Sequence, residues 1–368
     1  MSRRLPIDTR VLIVDPEQPD AGAIAEAARI LRAGGLVAFP TETVYGLGAN
    51  AMDAVALNRI YEAKERPAND PIIAHIARPE QLDELARDIP PAARHLANAF
   101  WPGALTLVLK RAPGVPENIA AGRDTVAVRM PAHPLARALL LAADVPVGAP
   151  SANTFTRPSA TTAAHVLEDL DGRIDLVLDG GPTTIGVEST VLDLTGTAPV
   201  VLRPGGVLLE ELQAVLPETT LAPRYLAEDS ASDAPGQLLK HYSPRARVRL
   251  FTGEPAAVRA RMRAEANALI AAGETPGLLL AEEDITELGA FTDREILGSE
   301  RDLAAVSRRL FEALRALDRR GVDAILVRDF GREGLGAALW DRLLRAAEGQ
   351  VIDTAASTPG AGFTADEG

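Results

Sequence analysis

The chain has 368 residues, of which 47% are hydrophobic, so it is long enough for two domains with sizeable cores. Its formal net charge of −13 argues against a broad phosphate-binding face for long nucleic acid, and the absence of cysteine excludes disulfides, thiolate zinc sites and cysteine nucleophiles. Because the N-terminus lacks a signal peptide's apolar region and no run approaches the roughly 18 apolar residues of a membrane span, we expect a cytoplasmic protein.

Residues 1–216 interleave apolar, strand-like runs with helical periodicity, which predicts an α/β domain. The predicted elements are helix 22–33, strand 36–39, a helix capped by Asp53, strand 71–76, helices 79–87 and 90–100, strands 104–109 and 125–130, helix 134–143, strand 145–148, a helix capped by Thr161, strands 175–178, 187–194 and 200–202, and helix 208–215. Their irregular order and the many loops after strands do not fit a regular doubly wound sheet.

Residues 217–246 break the pattern, because they are rich in Pro, Ser, Asp and Ala and show little periodicity. We interpret them as a linker, although the grouping of Lys240, His241 and Tyr242 is more than a passive spacer needs. From residue 247 to 350, strands and helices alternate again, which predicts a smaller Rossmann-like α/β domain with a parallel sheet. No GxGxxG follows its first strand, and residues 351–368 resemble a disordered tail.

The most informative stretch of the chain reads LVAFPTETVYGLGAN. Its apolar run ends as a buried strand would, and the hydroxyl-rich loop that follows carries glycines that would let a ligand approach the backbone. One predicted helix later, Lys64 and Arg66 lie close together, in a chain with only three lysines. This pattern suits a small molecule with polar and anionic groups, although a hairpin turn and a solvated helix end would produce the same letters.

Further polar loops follow apolar strands, namely APSAN, VESTV and LRPGG. Each is weak evidence alone, since such residues are common in turns. Together with KERP they supply hydroxyls, amides, glycines and cations, which fit a nucleoside triphosphate and a small polar co-substrate. Because the chain contains no GxxxxGK[ST], HEXXH or GxSxG sequence, scattered side chains rather than a P-loop would hold the phosphates.

These segments also occur together and in order, as LVAFPTETVYGLGANA, KERP, FWPGALTLVL, VAVRMP, PSAN, PSATT, ESTV and LRPG. The set resembles the YrdC-type domain. With the HYSP sequence of the linker and the C-terminal α/β domain, the chain is similar over roughly residues 20–350 to the two-domain family of L-threonylcarbamoyladenylate synthases. The resemblance implies a twisted mixed α/β sheet with a concave, locally positive cavity.

The resemblance also implies a reaction, in which L-threonine, bicarbonate and ATP give threonylcarbamoyl-AMP, pyrophosphate and water. A separate transferase machinery would use the product to modify the adenosine next to the anticodon of tRNA, and any tRNA contact by this chain would be weak. The carbamate formed from threonine needs little activation, so alignment, screening of phosphate charge and exclusion of water would dominate catalysis. Mg²⁺ is expected with ATP, held chiefly by its phosphates and by no protein metal site.

The family pattern, carried over position by position, implies two groups of site residues. Lys64 and Arg66 would be catalytic and face the triphosphate, and Tyr242 would fold back from the linker as a lid that excludes water. The full ATP set is Lys64, Arg66, Asp70, Thr125, Ser151, Asn153, Ser159, Arg203 and Tyr242. The threonine set is Thr41, His75, Arg129, Ala149 and Ser189, in which Arg129 is the expected bidentate partner of the carboxylate.

Some of these positions have simpler interpretations. His75 lies in an apolar strand and could be a core residue, Arg129 could be a surface charge, and Lys64 could be a solvated helix end. Asp70 departs from the family, which often has Asn there. A carboxylate near a triphosphate would be repulsive unless it helped to hold Mg²⁺, so the role of Asp70 is open.

Three other functions are also open. The carbamoyltransferase that matures hydrogenases contains a YrdC-type domain, but it should carry zinc-finger cysteines and an acylphosphatase segment, and this chain has no cysteine and no room for both. An RNA-binding module would use the concave surface for tRNA or rRNA, against the net charge. A metabolite-binding regulator would bind ATP or threonine without releasing pyrophosphate.

Overall fold

The computed structural model describes residues 7–222 and 242–355, and the chain divides into two compact units. The first unit comprises residues 1–155 and 159–237, and the second comprises residues 156–158 and 238–368. Most of the predicted linker and most of the predicted tail, including Lys240 and His241, lie outside the described residues.

The first unit alternates strands and helices, as the sequence predicts. Its strands are β1 Arg10–Ile13, β2 Val37–Pro40, β3 Tyr45–Asn50, β4 Ile73–His75, β5 Ala86–Arg87, β6 Leu105–Arg111, β7 Thr125–Arg129, β8 Val147–Gly148, β9 Leu176–Asp179, β10 Thr190–Asp193, β11 Val200–Arg203 and β12 Thr220–Leu221. Its α-helices are α1 Ala21–Arg32, α2 Ala54–Lys64, α3 Leu82–Leu85, α4 Pro91–Phe100, α5 Pro134–Ala143, α6 Ala163–Leu170 and α7 Leu209–Val215.

These strands form one mixed sheet in the order β1-β9-β2-β3-β8-β4-β7-β6-β10-β11-β12, with β5 beside β6. Parallel and antiparallel neighbours alternate irregularly, which confirms the prediction of a mixed sheet and not a doubly wound one. One face is covered by α1 and α5, and the other by a larger apolar core that includes residues of α2, α4 and α6. Burial on both faces explains why many of the strands read as continuous apolar runs.

Helix α2 shows how local sequence signals position a site residue. Asp53 caps the helix, because its Oδ1 accepts hydrogen bonds from the backbone N–H groups of Val55 and Ala56. The helix ends at Glu65, which adopts the left-handed conformation, so the side chain of Lys64 belongs to the last helical turn. Both boundaries follow the sequence prediction.

The second unit contains a five-stranded, fully parallel sheet in the order β15-β14-β16-β13-β17, as predicted for a small Rossmann-like domain. Its strands are β13 Arg247–Thr252, β14 Pro276–Ala281, β15 Arg294–Gly298, β16 Ala324–Arg328 and β17 Val351–Asp353. Its α-helices are α8 Pro255–Ala271, α9 Ile285–Leu288, α10 Leu303–Arg320 and α11 Leu335–Ala346.

Several local predictions differ from the structure. The helix predicted at 79–87 is a 3₁₀ turn, the four-residue helix α3 and the short strand β5. Thr162, not Thr161, caps α6, because the Thr162 hydroxyl accepts from the N–H of His165. Strand β17 lies where the predicted tail begins, and β3 and β15 lie where no strand was predicted.

Candidate functional site

Strand ends bring several of the predicted residues to one end of the first sheet. In the parallel pair β4–β7, His75 lies opposite Arg129, and in the antiparallel pair β6–β7, Thr106 lies opposite Arg129. Ser189 immediately precedes β10, which runs parallel to β6, and Arg203 ends β11, which runs antiparallel to β10. Five neighbouring strands therefore present polar groups at the same edge, although the residues lie far apart in the sequence.

Arg129 is buried, so it is not the surface charge that the sequence also allowed. Its Nε donates to the carbonyl of Gly103 (3.1 Å), its Nη1 to the hydroxyl of Thr43 (2.9 Å) and its Nη2 to Oε1 of Glu42 (2.6 Å). Burial alone would raise the pKa of Glu42, but the charge and hydrogen bond of Arg129 bring that pKa below its ordinary value. The carboxylate is therefore ionised at neutral pH.

His75 is buried beside this ion pair. Burial, and after it the charge of Arg129, lower the pKa of His75 to about 3, so the imidazole is neutral at physiological pH. Nδ1 lies 3.2 Å from the carbonyl of Ile73, to which it donates when it carries the ring proton. A core histidine could make the same contacts, and the assignment of His75 to threonine stays a prediction.

Thr41 lies in the turn between β2 and β3, where short-range hydrogen bonds hold its hydroxyl. Oγ1 donates to the carbonyl of Val44 (2.6 Å) and lies 2.8 Å from the hydroxyl of Thr43. Both threonines are buried, and Thr43 also contacts Arg129. The turn that the sequence singled out is therefore joined directly to the Arg129 group.

Lys64 is buried at the end of α2, so it is not a solvated helix end. Its Nζ donates to the carbonyls of Ser151 and Asn153, each at 2.5 Å, and its own carbonyl accepts from the N–H of Phe155. The loop after β8 is thus wrapped around a cation. Ala149, at the start of that loop, is buried and donates its N–H to the carbonyl of Ile73, the first residue of β4.

Arg66 and Asp70 form a buried ion pair with 2.9 Å between Nη2 and Oδ2. Arg66 also donates to the carbonyls of Asp70 and Pro71. The Asp70 carboxylate is therefore engaged with a cation of the predicted phosphate group. Extending the parallel register of β4 and β7 by two residues places Pro71 level with Thr125, at the other end of β7 from Arg129.

Ser189 and Arg203 are joined by direct contacts. Arg203 donates from Nε and Nη2 to the carbonyl of Ser189, at 3.2 and 2.9 Å, and the Ser189 hydroxyl lies 2.8 Å from that of Thr106. The chain can turn this closely only because residue 205 is glycine. A Cβ on Gly205 would lie 2.3 Å from the carbonyl oxygen of Glu188. The LRPGG and VEST segments are thus packed backbone to backbone.

Ser159 and Tyr242 are the remaining predicted residues. Ser159 is buried and its hydroxyl donates to Oε1 of Glu188. Tyr242 belongs to the second unit, where its ring packs against Phe311 at a centroid distance of 5.4 Å and lies under the Arg342 guanidinium. The lid role of Tyr242 stays a prediction.

Four polar residues that the sequence did not assign to the site contact its members: Glu42, Thr43, Thr106 and Glu188. Glu42 and Thr43 lie in the stretch that the sequence singled out, and Glu188 lies in VESTV. Thr106 is the one polar residue of the predicted strand 104–109 (ALTLVL). A single hydroxyl in an otherwise apolar strand is the only sequence signal that could have identified Thr106.

An open cavity of about 620 Å³ lies elsewhere in the first unit and contains none of the predicted residues. Its charged lining is paired within the protein, since Arg87 contacts Asp124 at 2.5 Å and Arg111 donates to the carbonyl of Val115. Arg111 ends β6, whereas Thr106 lies near the start of that strand. We therefore place the Arg129 part of the candidate site at the Thr106 end of β6.

Within residues 7–222 and 242–355, no group of three or more His, Asp and Glu side chains is arranged to hold a metal ion. In the same residues, no helix combines the length and the apolar composition that crossing a membrane would require.

Comparisons with known proteins give one consistent result for both units. The family model of the Sua5, YciO and YrdC proteins, described as telomere recombination, matches residues 29–205, and that of the C-terminal domain of threonylcarbamoyl-AMP synthase matches residues 207–348. The threonylcarbamoyl-AMP synthase of Pyrococcus abyssi is 45% identical over 343 residues, which are 93% of this chain and 99% of that protein. The Bacillus subtilis protein of that name is 42% identical over 332 residues, 89% of this chain and 94% of its own length.

A solved structure is similar over the same extent. The crystal structure of Pyrococcus abyssi Sua5 complexed with L-threonine matches with a TM-score of 0.88 at 44% identity, and the match covers 94% of this chain and 99% of that one. The mixed sheet of the first unit and the separate sheet of the second agree with the fold class predicted from the sequence.

Proposed function

The chain belongs to the Sua5/YrdC family of threonylcarbamoyl-AMP synthases, and we propose that it condenses L-threonine, bicarbonate and ATP to threonylcarbamoyl-AMP. It is an enzyme of that family, with relatives 38–45% identical over most of the chain. The single observation that carries the proposal is the placement of His75, Arg129, Ser189 and Arg203 at one end of neighbouring strands, beside the buried turn at Thr41.

The proposed reaction has two bond-forming steps. The uncharged amine of threonine attacks the carbon of bicarbonate, and water leaves to give a carbamate. A carbamate oxygen then attacks the α-phosphorus of ATP, and the bond to the β-phosphate bridging oxygen breaks to release pyrophosphate. Neither step requires a protein nucleophile, so the side chains are needed for alignment and for stabilising charge.

We assign the amino acid to the Arg129 end of the site. A guanidinium fork pairs with a carboxylate through two parallel hydrogen bonds, and Arg129 is a buried guanidinium whose orientation is fixed. A neutral His75 adds a polar ring without adding a second positive charge near Arg129. Thr41 and Ser189 supply hydroxyls, and Ala149 supplies backbone.

We assign the triphosphate to Lys64 and Arg66, which lie in the segment that follows α2. Lys64 is oriented by the carbonyls of Ser151 and Asn153, so this cation and the loop that would hold ATP are positioned together. Along β7, Thr125 is separated from Arg129 by four residues, or roughly 13 Å, a distance that a bound nucleotide and amino acid would span together. Ser159 and Arg203 complete the proposed nucleotide contacts.

Mg²⁺ would enter as part of the nucleotide, held by its phosphates. The one carboxylate of the proposed nucleotide set, Asp70, is paired with Arg66. We further propose that the product passes to a transferase machinery that modifies tRNA, and that the protein works in the cytoplasm, where ATP and tRNA are available.

The test is mass spectrometry of a short incubation with ATP, Mg²⁺, bicarbonate and L-threonine, with pyrophosphate measured in parallel. We expect a species with the mass of threonylcarbamoyl-AMP that disappears when threonine or bicarbonate is omitted. Pyrophosphate without that species would indicate that a different molecule accepts the adenylyl group of ATP. ATP binding without any turnover would contradict the proposal and favour a regulator.

The two proposed subsites are tested by separate substitutions. We expect Thr41→Ala and Ser189→Ala to raise the KM for threonine about tenfold while the KM for ATP changes less than twofold, since each loses one hydrogen bond to the amino acid. If the KM for ATP rises and that for threonine does not, the two subsites are exchanged.

A further inference from the structure

Glu42 holds a carboxylate at a fixed position between three segments of the first unit. Oε1 accepts from Nη2 of Arg129 at 2.6 Å, and Oε2 accepts from the backbone N–H of Ala132 at 3.1 Å. The backbone carbonyl of Glu42 accepts from the N–H of Ile185 at 2.8 Å and from the hydroxyl of Thr184. Glu42 is therefore held at its backbone carbonyl and at both oxygens of its side chain.

Arg129 is held in one plane by the contacts it makes. Arg129 donates hydrogen bonds to Gly103, Thr43 and Glu42. These three bonds use the N–H of Nε and one N–H on each terminal nitrogen. A guanidinium has five N–H groups, so these bonds leave one N–H on Nη1 and one on Nη2. That is the number that a carboxylate takes in a bidentate pair.

We propose that Glu42 is a positioning residue, which fixes the guanidinium of Arg129 so that its two remaining N–H groups receive the carboxylate of L-threonine. This inference rests on the proposed function and adds a residue that makes no substrate contact of its own. Thr43 holds Nη1, the other terminal nitrogen of Arg129, and contributes more weakly to the same positioning. Glu42 therefore acts on threonine affinity only through Arg129.

The contacts explain why a carboxylate is needed at this position. Both oxygens of Glu42 accept hydrogen bonds, one from a side chain and one from a backbone N–H. Glutamine has the same shape but only one accepting oxygen, so either Arg129 or Ala132 would face an N–H₂ group. Arg129 is the one of the two that can rotate away, because Ala132 offers a backbone group.

The simplest competing view is that Glu42 merely neutralises a buried charge. If so, removing its charge would leave a more positive pocket and would tighten the binding of an anionic carboxylate. The positioning view predicts the opposite sign, because a reoriented guanidinium loses the two parallel bonds that give the pair its strength. The two views are separated by the direction of the change in affinity.

The experiment is calorimetric titration of the full chain with L-threonine and, separately, with ATP and Mg²⁺. For Glu42→Gln we expect the Kd for threonine to rise tenfold or more while the Kd for ATP changes less than twofold. Glu42→Asp keeps both acceptors on a shorter side chain and should recover part of the loss. Thr43→Val, which is nearly isosteric, should raise the Kd for threonine about threefold.

Asp175 provides a matched control in the same unit. Its Oδ2 also accepts from an arginine, Arg59 (2.8 Å), and from a backbone N–H, that of Leu36 (2.7 Å). Leu36 precedes β2 whereas Glu42 follows it, so the two carboxylates lie at opposite ends of that strand. Asp175→Asn should lower the thermal midpoint and leave the threonine Kd unchanged.

The possible results separate this inference from the proposed function. If wild type binds threonine and Glu42→Gln binds it equally well or more tightly, the positioning role is wrong and the proposed function stands. If Glu42→Gln raises the Kd for both ligands, the substitution has disturbed the fold, and Thr43→Val decides. No change of the threonine Kd in Thr43→Val would then overturn the inference, and a rise in the threonine Kd alone would support it. If wild type binds no threonine, the proposed function fails and this inference fails with it.

Discussion

Lys64 and Arg203 of the first unit and Arg328 of the second unit are buried among different partners. In the first unit, Lys64 donates to the carbonyls of Ser151 and Asn153, and Arg203 donates to the carbonyl of Ser189. In the second unit, the equally buried Arg328 contacts two carboxylates: Asp284 at 2.9 Å and Glu300 at 2.6 Å. Burial of a cation is common to both units, and the type of partner differs.

This difference distinguishes Lys64 and Arg203 from a buried network of ion pairs. A carbonyl dipole orients a cation but leaves its net charge in place for a phosphate or carboxylate ligand. A carboxylate cancels that charge, and the pair then acts through its hydrogen bonds, either on the fold or, as we propose for Arg129 and Glu42, on the orientation of the guanidinium. The second unit has buried charges at the carboxyl ends of a parallel sheet, yet they are matched within the network, as Arg259 and Arg328 on Asp284 illustrate.

The largest effect should come from a cation held by carbonyls. Lys64→Ala should lower the rate of pyrophosphate release about 10³-fold, because it removes a buried charge next to the proposed triphosphate. Lys110→Ala is the matched control, since Lys110 is half exposed and pairs only with a surface aspartate. Wild-type turnover in Lys64→Ala, measured with coupled pyrophosphate detection, would remove Lys64 from the phosphate subsite.

A cation held by carboxylates should instead matter for stability. Arg328→Met should lower the free energy of unfolding by about 3 kcal/mol, because the fully buried Asp284 loses the nearer of its two arginines. Trp340 fluorescence in urea, in a Trp101→Phe background, would report on the second unit. Arg320→Met, which breaks a half-exposed pair with Glu295, should cost less than about 1 kcal/mol. A loss of turnover per folded molecule in Arg328→Met would contradict a purely structural role.

His75 sharpens the comparison, because it is a buried basic group that is kept neutral. Its pKa is about 3 in the folded state and roughly 6.5 in an unfolded chain, so between these pH values the unfolded state binds more protons and stability falls as the pH falls. From pH 6.5 to 5, wild type should lose about 2 kcal/mol more than His75→Gln, by urea unfolding at each pH. Identical pH profiles would mean that His75 is protonated without cost in the fold.

The smallest effect should come from Asp70, which, like Glu42, is a carboxylate paired with a buried arginine of the first unit. In Asp70→Asn, Arg66 keeps its two backbone carbonyls but loses the opposing charge, so the KM for MgATP should fall severalfold. If Asp70 instead holds Mg²⁺, the KM for MgATP and the Mg²⁺ requirement should both rise. Steady-state kinetics at two Mg²⁺ concentrations decide between these outcomes.

Local signals in the sequence predicted most helices and the parallel sheet of the second unit, and the family resemblance implied the mixed sheet of the first unit, but not every strand was predicted. Strand β3, Tyr45–Asn50, was missed because its two glycines disfavour a strand on propensity. A Cβ on Gly48 would lie 2.9 Å from the Phe39 ring and 2.9 Å from Val147, so protein side chains and not a ligand require that glycine. Close packing between strands is a tertiary property that a single sequence does not display.

The candidate site also combines residues that motifs predicted with residues that only the structure identifies. The motifs identified Lys64, Arg129 and Ser189 as candidate site residues, and the structure describes how each is held. Glu42 was noted as part of its loop but received no role, because its partner Arg129 lies 87 residues away in the sequence. Thr106, the partner of Ser189, is likewise 83 residues from it. Pairings at such separations arise from sheet order, which periodicity and composition do not encode.

The order of strands in the first sheet has a consequence for how the protein is made. Strand β1, which begins at Arg10, pairs in parallel with β9, in which Leu176 is the residue opposite Arg10. At translation rates of about 5–20 residues per second, the ribosome needs roughly 8–33 seconds to add the residues between them. During that time β1 has no completed partner, so nascent chains stalled before residue 176 should be cleaved by protease at β1 far more readily than chains stalled beyond the first unit.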